Sequence, residues 1–302
     1  MSAISFPSNF PSEEKMMSVL KKTMEKSWKI DLSIEDIENW LNNFSGKVFD
    51  KPIEQKLALW LLCNYTYYNE DEVNYLCGLL FNKLIHQILI DESKASEEEV
   101  EKCVLGSAFT SIGKASESGG LLLYHFRQEA KLDLDRFIFP TDIEKTNCDK
   151  IICIDDVIIS GGTASRFFYE NKEHLANKKI YYITLITTDA AIEKLNALDI
   201  SVIYCIKLDE RNRVFSNQSL VFYKFPELLQ YAKKLAEEYG KLIEPDKPLG
   251  HKSGQYLFGL YYNIPNNSLP IFWSSNNWEP IFKRKEKYQN AKQAKREYGY
   301  YF

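Results

Sequence analysis

Little in this chain points to cross-linking, resident-metal or membrane chemistry. Its six cysteines stand alone at 63, 77, 103, 148, 153 and 205, with no CxxC pair, and its four histidines do not cluster near them. A disulfide framework and a Cys/His metal site are therefore not expected. Cys153 lies in an apolar run and reads as a buried strand thiol. No stretch approaches the roughly 18 apolar residues of a spanning helix, so no membrane is expected. The N-terminus has no basic segment followed by an apolar run, so no signal peptide is expected and the chain reads as cytoplasmic. With only 13 Gly and 10 Pro in 302 residues, there is little material for long linkers. No internal repeat or low-complexity segment is visible.

Charge is also short of one sign, but unevenly. The formal net charge is −4, yet Lys283 to Phe302 holds seven Lys/Arg and two Glu, so this tail is +5 and the rest −9. A nucleic-acid-binding core is not suggested. The tail reads as a solvated terminal helix before it reads as a phosphate contact. Aromatics, by contrast, are abundant, with 19 Tyr and 18 Phe.

The first hundred residues carry helical periodicity, over 12–45, 51–67 and 70–90. Ser33 followed by Glu35 and Asp36 is a good helix start, with Ile34, Ile37, Trp40 and Leu41 on one face. From about residue 104 the pattern turns to strand–loop–helix. Strands are expected at Val104–Phe109, Lys150–Ile154, Ile180–Thr187 and Val202–Ile206. Helices are expected at Leu121–Glu129, Ser165–Ala176 and 189–197. Such alternation predicts a parallel sheet with helices on its faces. A further helix follows Pro226, with Gly240 as its expected stop. Residues 245–282, rich in Pro, Gly, Asn and aromatics, are expected to pack irregularly on the sheet. The chain thus divides into a helical region over 1–100, an α/β core over 101–245, and a C-terminal segment with a basic tail over 246–302.

The informative stretch is Ile151-Ile-Cys-Ile-Asp155-Asp156-Val-Ile-Ile159-Ser160-Gly161-Gly162-Thr163-Ala-Ser165. A buried strand ends in two carboxylates, a glycine turn follows, and a helix begins. In an open parallel sheet, ligands sit beyond the carboxyl ends of the strands. The glycines allow backbone N–H groups to converge, a side chain at Gly161 being expected to block them. The helix N-terminus favours phosphate. Ser160, Thr163 and Ser165 can add hydroxyl donors. Two acids beside an anion site would repel it, unless they face hydrogen-bond donors such as ribose hydroxyls, or a metal.

This run resembles the diphosphoribosyl-binding motif of the phosphoribosyltransferase family: apolar strand, acidic doublet, apolar spacer, then Ser/Thr-Gly-x-Thr. The resemblance implies a type I phosphoribosyltransferase-like α/β fold, here with an added N-terminal helical subdomain. It implies that Asp155 and Asp156 contact the ribose hydroxyls and act near C1, and that Ile159, Ser160, Gly161, Gly162 and Thr163 hold the 5′-phosphate. The family's diphosphate loop corresponds to 110–120, where Gly113, Lys114, Ser116, Ser118 and Gly119 are candidates, with Arg127 within reach and His125 a weaker candidate. An ordinary surface loop is the competing reading of that stretch. Mg²⁺ is expected with the diphosphate. The family's closing loop corresponds to 129–147.

The helical N-terminal third, together with Pro248–Gln255 and Tyr262–Trp273, resembles the phosphoribosyltransferase-like effectors of bacterial conflict systems, including retron-type ones. That implies an anti-phage setting, with a reverse transcriptase and its nucleic acid product as partners. Three functional readings stay open: an enzyme acting at ribose C1 on 5-phosphoribosyl 1-diphosphate (PRPP) or a nucleotide, a non-catalytic nucleotide-sensing module, and a nucleobase-salvage phosphoribosyltransferase.

Overall fold

The computed structural model describes residues 4–92, 96–112 and 118–284. Helix starts follow the capping residues. Ser12 accepts the Lys15 N–H and opens α1 (Glu13–Thr23). Ser33 and Asp36 exchange bonds in a capping box at α2 (Ile34–Leu41). The helical stretch over 12–45 is divided ahead of the helix start expected at Ser33: a π-helical turn at Met24–Trp28 ends on Lys29, whose φ of 49° stops the first helix. α3 (Lys51–Cys63) follows, then a three-residue strand β1 (Thr66–Tyr68). Asn69 and Glu72 form the box that starts α4 (Glu70–Asp91). α4 is long and apolar enough to cross a membrane by length and composition. Its buried stripe, which includes Val73, Leu80 and Ile88, instead packs in the core that covers one face of the sheet.

The expected strand at Val104–Phe109 starts too early: Val104 and Leu105 end a helix, Gly106 and Ser107 turn, and only Ala108 and Phe109 are strand. Ser96 and Glu99 box the start of α5 (Glu97–Leu105), and Val100 and Val104 point inward one turn apart. The strand, β2, is confined to Ala108–Ser111. Then come α6 (Ser118–Ala130), β3 (Lys150–Ile158), α7 (Gly162–Glu170), α8 (Lys172–Leu175), β4 (Lys179–Thr188), α9 (Asp189–Asn196), β5 (Ser201–Leu208), α10 (Leu229–Ile243) and β6 (Phe258–Leu260).

β2, β3, β4 and β5 form a parallel sheet in that order. α4, α5 and α6 cover one face, through Leu80, Val104, Leu122 and Phe126 against Phe109, Ile152, Ile154 and Ile183. α7, α8 and α9 cover the other, through Ala164, Phe168, Leu175 and Leu195 against Ile151, Cys153 and Tyr182. This is the expected α/β sheet with helices on both faces, joined to a helical N-terminal region.

The segment expected to close over the site, 129–147, is part of the scaffold. Phe137 makes a parallel bridge to Phe109 on the free edge of β2, its ring stacks on Phe109, and the Ile138 N–H donates to Phe109 O at 2.9 Å. The chain therefore leaves β2 outward to Phe137, then returns past β2 to form β3 on its other side. Right-handed crossovers in opposite directions place α6 and α7 on opposite faces. The winding reverses between β2 and β3, and this reversal makes the ligand crevice of an open parallel sheet.

The second half of the core is aromatic. α1 to α3, α10 and residues 214–282 share one cluster built on Trp28, Trp40, Phe44, Phe272, Trp278 and Phe282. The C-terminal segment, expected to pack on the sheet, packs chiefly here, with Tyr256, Phe258 and Leu260 reaching the sheet's core. β6 pairs with β1 in parallel, Thr66 opposite Phe258. Glu54, fully buried, accepts N–H bonds from Gly46, Val48 and Phe49 at 2.6–2.9 Å and the Tyr239 hydroxyl at 2.6 Å. Gly240 does not end α10: a Cβ there would lie 2.1 Å from Pro248 O, so the glycine admits the returning chain.

Candidate functional site

A cleft of about 1760 Å³ opens at the switch point. Its floor is Ile112 at the end of β2, Gly119 at the start of α6, and every residue from Asp155 to Ala164. Its far wall comes from the 30–39 region, Tyr67, and the segment after α10.

The acidic doublet lies within β3, which runs on to Ile158 rather than ending at Ile154. Asp156 is 3% exposed and Asp155 is half-buried. Each oxygen of the pair already has a partner. Asp155 accepts the Tyr182 hydroxyl at 2.8 Å and the Asp156 N–H at 2.9 Å. Asp156 accepts the Val157 N–H at 2.8 Å and the Asn263 amide at 3.1 Å. Burial, then the charge of Asp156, pushes the Asp155 carboxyl well above the ordinary carboxylate range, against the opposing bond from Tyr182. A carboxylate oxygen has two lone pairs, so each can still accept from a ligand hydroxyl.

The turn after β3 is pinned from behind. The Thr188 hydroxyl donates to Ile159 O at 2.6 Å and accepts the Ala191 N–H at 3.3 Å, tying the turn to the start of α9. Gly161 adopts φ 64°, and a Cβ there would meet Lys194 and Ala191 at 3.4–3.5 Å. Its glycine is thus favoured by the left-handed backbone, and a side chain there would point to α9 rather than into the cleft. Gly162 is the position where a side chain would reach open space, meeting only Ser160 Oγ at 3.7 Å. Ser165 makes the first helical bond of α7, to Gly161 O at 2.9 Å. The N–H groups of Gly162, Thr163 and Ala164 therefore have no intrahelical acceptor, and no side chain caps them. α2, α4 and α5, by contrast, carry capping boxes.

The structure brings Asp155, Asp156, Ile159, Ser160, Gly161, Gly162, Thr163 and Gly119 to one cleft. Ser165 is not in its lining, and its buried hydroxyl has no hydrogen-bond partner among the described residues. Arg127 also stands outside the lining, its guanidinium 6.0 Å above the Tyr124 ring. Gly113, Lys114 and Ser116 lie outside the described residues, as do the Ser118 side chain and the tail beyond Arg284. Gly119 sits tightly, a Cβ there meeting Ser111 Cβ at 3.3 Å. His125 is buried, hydrogen-bonded to the Tyr261 hydroxyl and stacked near Tyr262. Among the described residues, no three His, Cys, Asp or Glu side chains group as metal ligands.

The profile of the PRTase-CE family matches residues 37–284. The chain belongs to the PRTase-CE family. Among curated proteins no relative matches. Solved structures similar to this PRTase-CE chain include orotate phosphoribosyltransferase from Aeropyrum pernix, 11% identical, TM-score 0.26, covering 37% of this chain and 72% of that one. Another is the Helicobacter pylori xanthine-guanine-hypoxanthine phosphoribosyltransferase, 14% identical, TM-score 0.33, covering 48% of this chain and 88% of that one. The PRTase-CE match begins inside α2 and extends to Arg284, so it takes in the floor of the cleft and the part of its far wall from Asn39 onward.

That wall is what sequence reasoning missed. Tyr262, Asn263 and Arg284 all line the cleft. Asn263 touches the doublet from 107 residues away. No local pattern marks it, because the signal is a long-range contact.

Proposed function

We propose that this PRTase-CE protein binds a phosphorylated ribose, PRPP or a nucleotide, and breaks or forms a bond at ribose C1. The observation that carries this is the uncapped N-terminus of α7 set one short turn beyond the strand that bears the acidic doublet, at the switch point of a parallel sheet. The free N–H groups and helix dipole suit the 5′-phosphate, and Asp155 and Asp156 suit the 2′- and 3′-hydroxyls. In a transfer reaction the C1–O bond to diphosphate breaks, with its electron pair leaving on diphosphate. A nucleophile's lone pair forms the new bond to C1 and the nucleophile loses its proton. The carboxylates favour the cation-like C1 of that step electrostatically.

Diphosphate would be held by the 110–120 stretch, with Gly113, Lys114, Ser116, Ser118 and Gly119 as its residues. Mg²⁺ would come with it, held by ligand oxygens and water; bound there, it would neutralise the leaving group. The proposed setting is that of an anti-phage effector partnered by a reverse transcriptase and its nucleic acid product, supported by the chain's likeness to such effectors. A sensing role has one observation in its favour: all four oxygens of the doublet are engaged within the chain.

PRPP with Mg²⁺ at about 100 times its dissociation constant should add about 2.7 kcal/mol of stability, a shift of several degrees in a thermal melt. Gly162→Val should abolish the shift while folding normally, and ribose 5-phosphate should shift less than PRPP. No shift from any phosphorylated ribose would sink the proposal. For the effector setting, induced expression should slow growth and the Asp155→Asn form should not.

A further inference from the structure

The cleft is larger than one phosphorylated ribose needs. Ligand pockets commonly enclose about 300–1,000 Å³, and this one encloses about 1760 Å³. The floor accounts for one ligand; the far wall is unused by it.

That wall is organised by three consecutive residues. The Tyr262 hydroxyl is buried without a hydrogen-bond partner among the described residues. Asn263 donates to Asp156 at 3.1 Å. The Ile264 carbonyl accepts Arg284 Nε at 2.8 Å and one Arg284 Nη2 hydrogen. The guanidinium lies over Trp273, its carbon 3.6 Å from the ring centre. Burial lowers the Arg284 pKa to about 10, so it remains a cation at neutral pH. Among the described residues Glu244 is the one carboxylate acting on it, and Glu244 is already engaged by Lys247 at 3.3 Å, Ser274 at 3.1 Å and Asn276 at 3.2 Å.

Arginine presents five N–H donors in a planar fork. Ile264 O takes two, and the remaining three have no acceptor among the described residues. A half-buried guanidinium costs free energy unless its charge is met, and the indole face meets only part of that. A free guanidinium edge in a cleft wall is suited to a phosphate, in bidentate fashion. The ring of Tyr262 and the exposed amide of Asn266 line the same wall, offering a stacking face and an edge-reading group.

Resting on the reading of the floor as a ribose-phosphate site, we infer that the far wall is a second subsite. Arg284 is its anchor, and its ligand is a nucleotide whose phosphate takes the free edge of the guanidinium. Two ligands would then lie in one cleft, linked through the Tyr262–Ile264 tripeptide that touches both.

Calorimetry on the full chain tests this with adenosine 5′-monophosphate, adenosine and inorganic phosphate as probes. Gly162→Val serves as a background in which the floor site is blocked. In that background the monophosphate should still bind, adenosine should bind weakly or not at all, and adding Arg284→Gln should weaken the monophosphate at least about tenfold, the scale of a charge-assisted bond. Arg284→Lys keeps a cation and a donor for Ile264 while losing the fork. It should fall between, and it carries the test if the Gln form does not fold. The inference is overturned if the monophosphate fails to bind the Gly162→Val chain, or if Arg284→Gln leaves its affinity unchanged. Equal affinity for inorganic phosphate and the monophosphate overturns the nucleotide assignment. PRPP failing to bind the unmutated chain, while monophosphate binding remains Arg284-dependent, would sink the floor reading alone.

Discussion

The two halves of the molecule are held together by different rules. The sheet half is aliphatic and successive. β2 to β5 pair in chain order, and each partner is the next strand along. The other half is aromatic and long-range. Trp40 donates to Ile271 O at 2.8 Å across 231 residues and stacks on Phe272, and β1 finds β6 nearly 200 residues away. The floor of the cleft belongs to the first half and much of its wall to the second. The proposed ribose-phosphate floor is therefore written by neighbours in sequence, and the wall opposite it by long-range contacts.

The largest effect should come from the aromatic half. Trp40 is fully buried, and Trp40→Ala would remove its stack, its hydrogen bond and its volume. Large-to-small changes of this kind cost about 3–5 kcal/mol. Denaturant melts should show one transition moved to lower denaturant. Two transitions, with only one of them moved, would break the comparison by showing that the halves unfold separately.

Gly161→Val should come next, at about 1–3 kcal/mol, the cost of a strained backbone. A β-branched residue at φ 64° is strained, and α9 stands 3.4–3.5 Å from its Cβ. Gly162→Val should leave stability nearly unchanged and remove ligand binding. If the two variants exchange these phenotypes in melts and ligand titrations, the account of which glycine faces the ligand is wrong.

These contrasts explain what could be read in advance. The doublet, the glycine turn and α7 follow one another within fifteen residues, so their spacing carries the site. β4, fully buried from Tyr181 to Thr187, reads as a strand from its β-branched and aromatic run. The misplaced strand at 104–109 had a visible counter-signal, since Ser96 with Glu99 is a capping box and Val100 and Val104 are one turn apart. Gly240 looked like a helix stop because its reason for being glycine, the approach of Pro248, lies outside its own helix. Phe137 as a sheet edge, Asn263 against Asp156 and Arg284 over Trp273 could not be read at all, because each depends on a partner brought by the fold.

Asp155→Asn separates function from stability on the floor. The fold raises the Asp155 carboxyl pKa above its unfolded value of about 3.9. The stability linked to Asp155 is therefore fully present below that value and lost as pH rises through the folded pKa. The Asn form should lack this slope, melt no lower than the unmutated chain at neutral pH, and lose PRPP binding at least about tenfold. Melts across the acid range check the sign: a variant that is less stable at neutral pH would make the carboxylate structural.

Tyr262→Phe should give the smallest stability change, and it probes the seam between the halves. The ring is held by the fold, packing at 5.0 Å from Tyr261 and 6.5 Å from His125. Its hydroxyl is buried with no hydrogen-bond partner among the described residues. Burial, then the charge of Asp156, pushes this phenol well above its ordinary pKa, so it is a neutral donor throughout the accessible pH range. Leaving a buried donor unsatisfied costs about 1–3 kcal/mol, so removing the oxygen while keeping the ring should raise stability, by about 1 kcal/mol or less if the site relaxes. A hydroxyl retained at such a cost in a cleft wall makes physical sense if a ligand satisfies it. The same variant should then bind PRPP or the monophosphate several-fold more weakly, despite melting higher. A higher melting temperature with unchanged affinities for both would leave the hydroxyl unconnected to either subsite. A lower melting temperature would mean that the hydroxyl has a partner within the folded chain, and the wall would then be scaffold at that point.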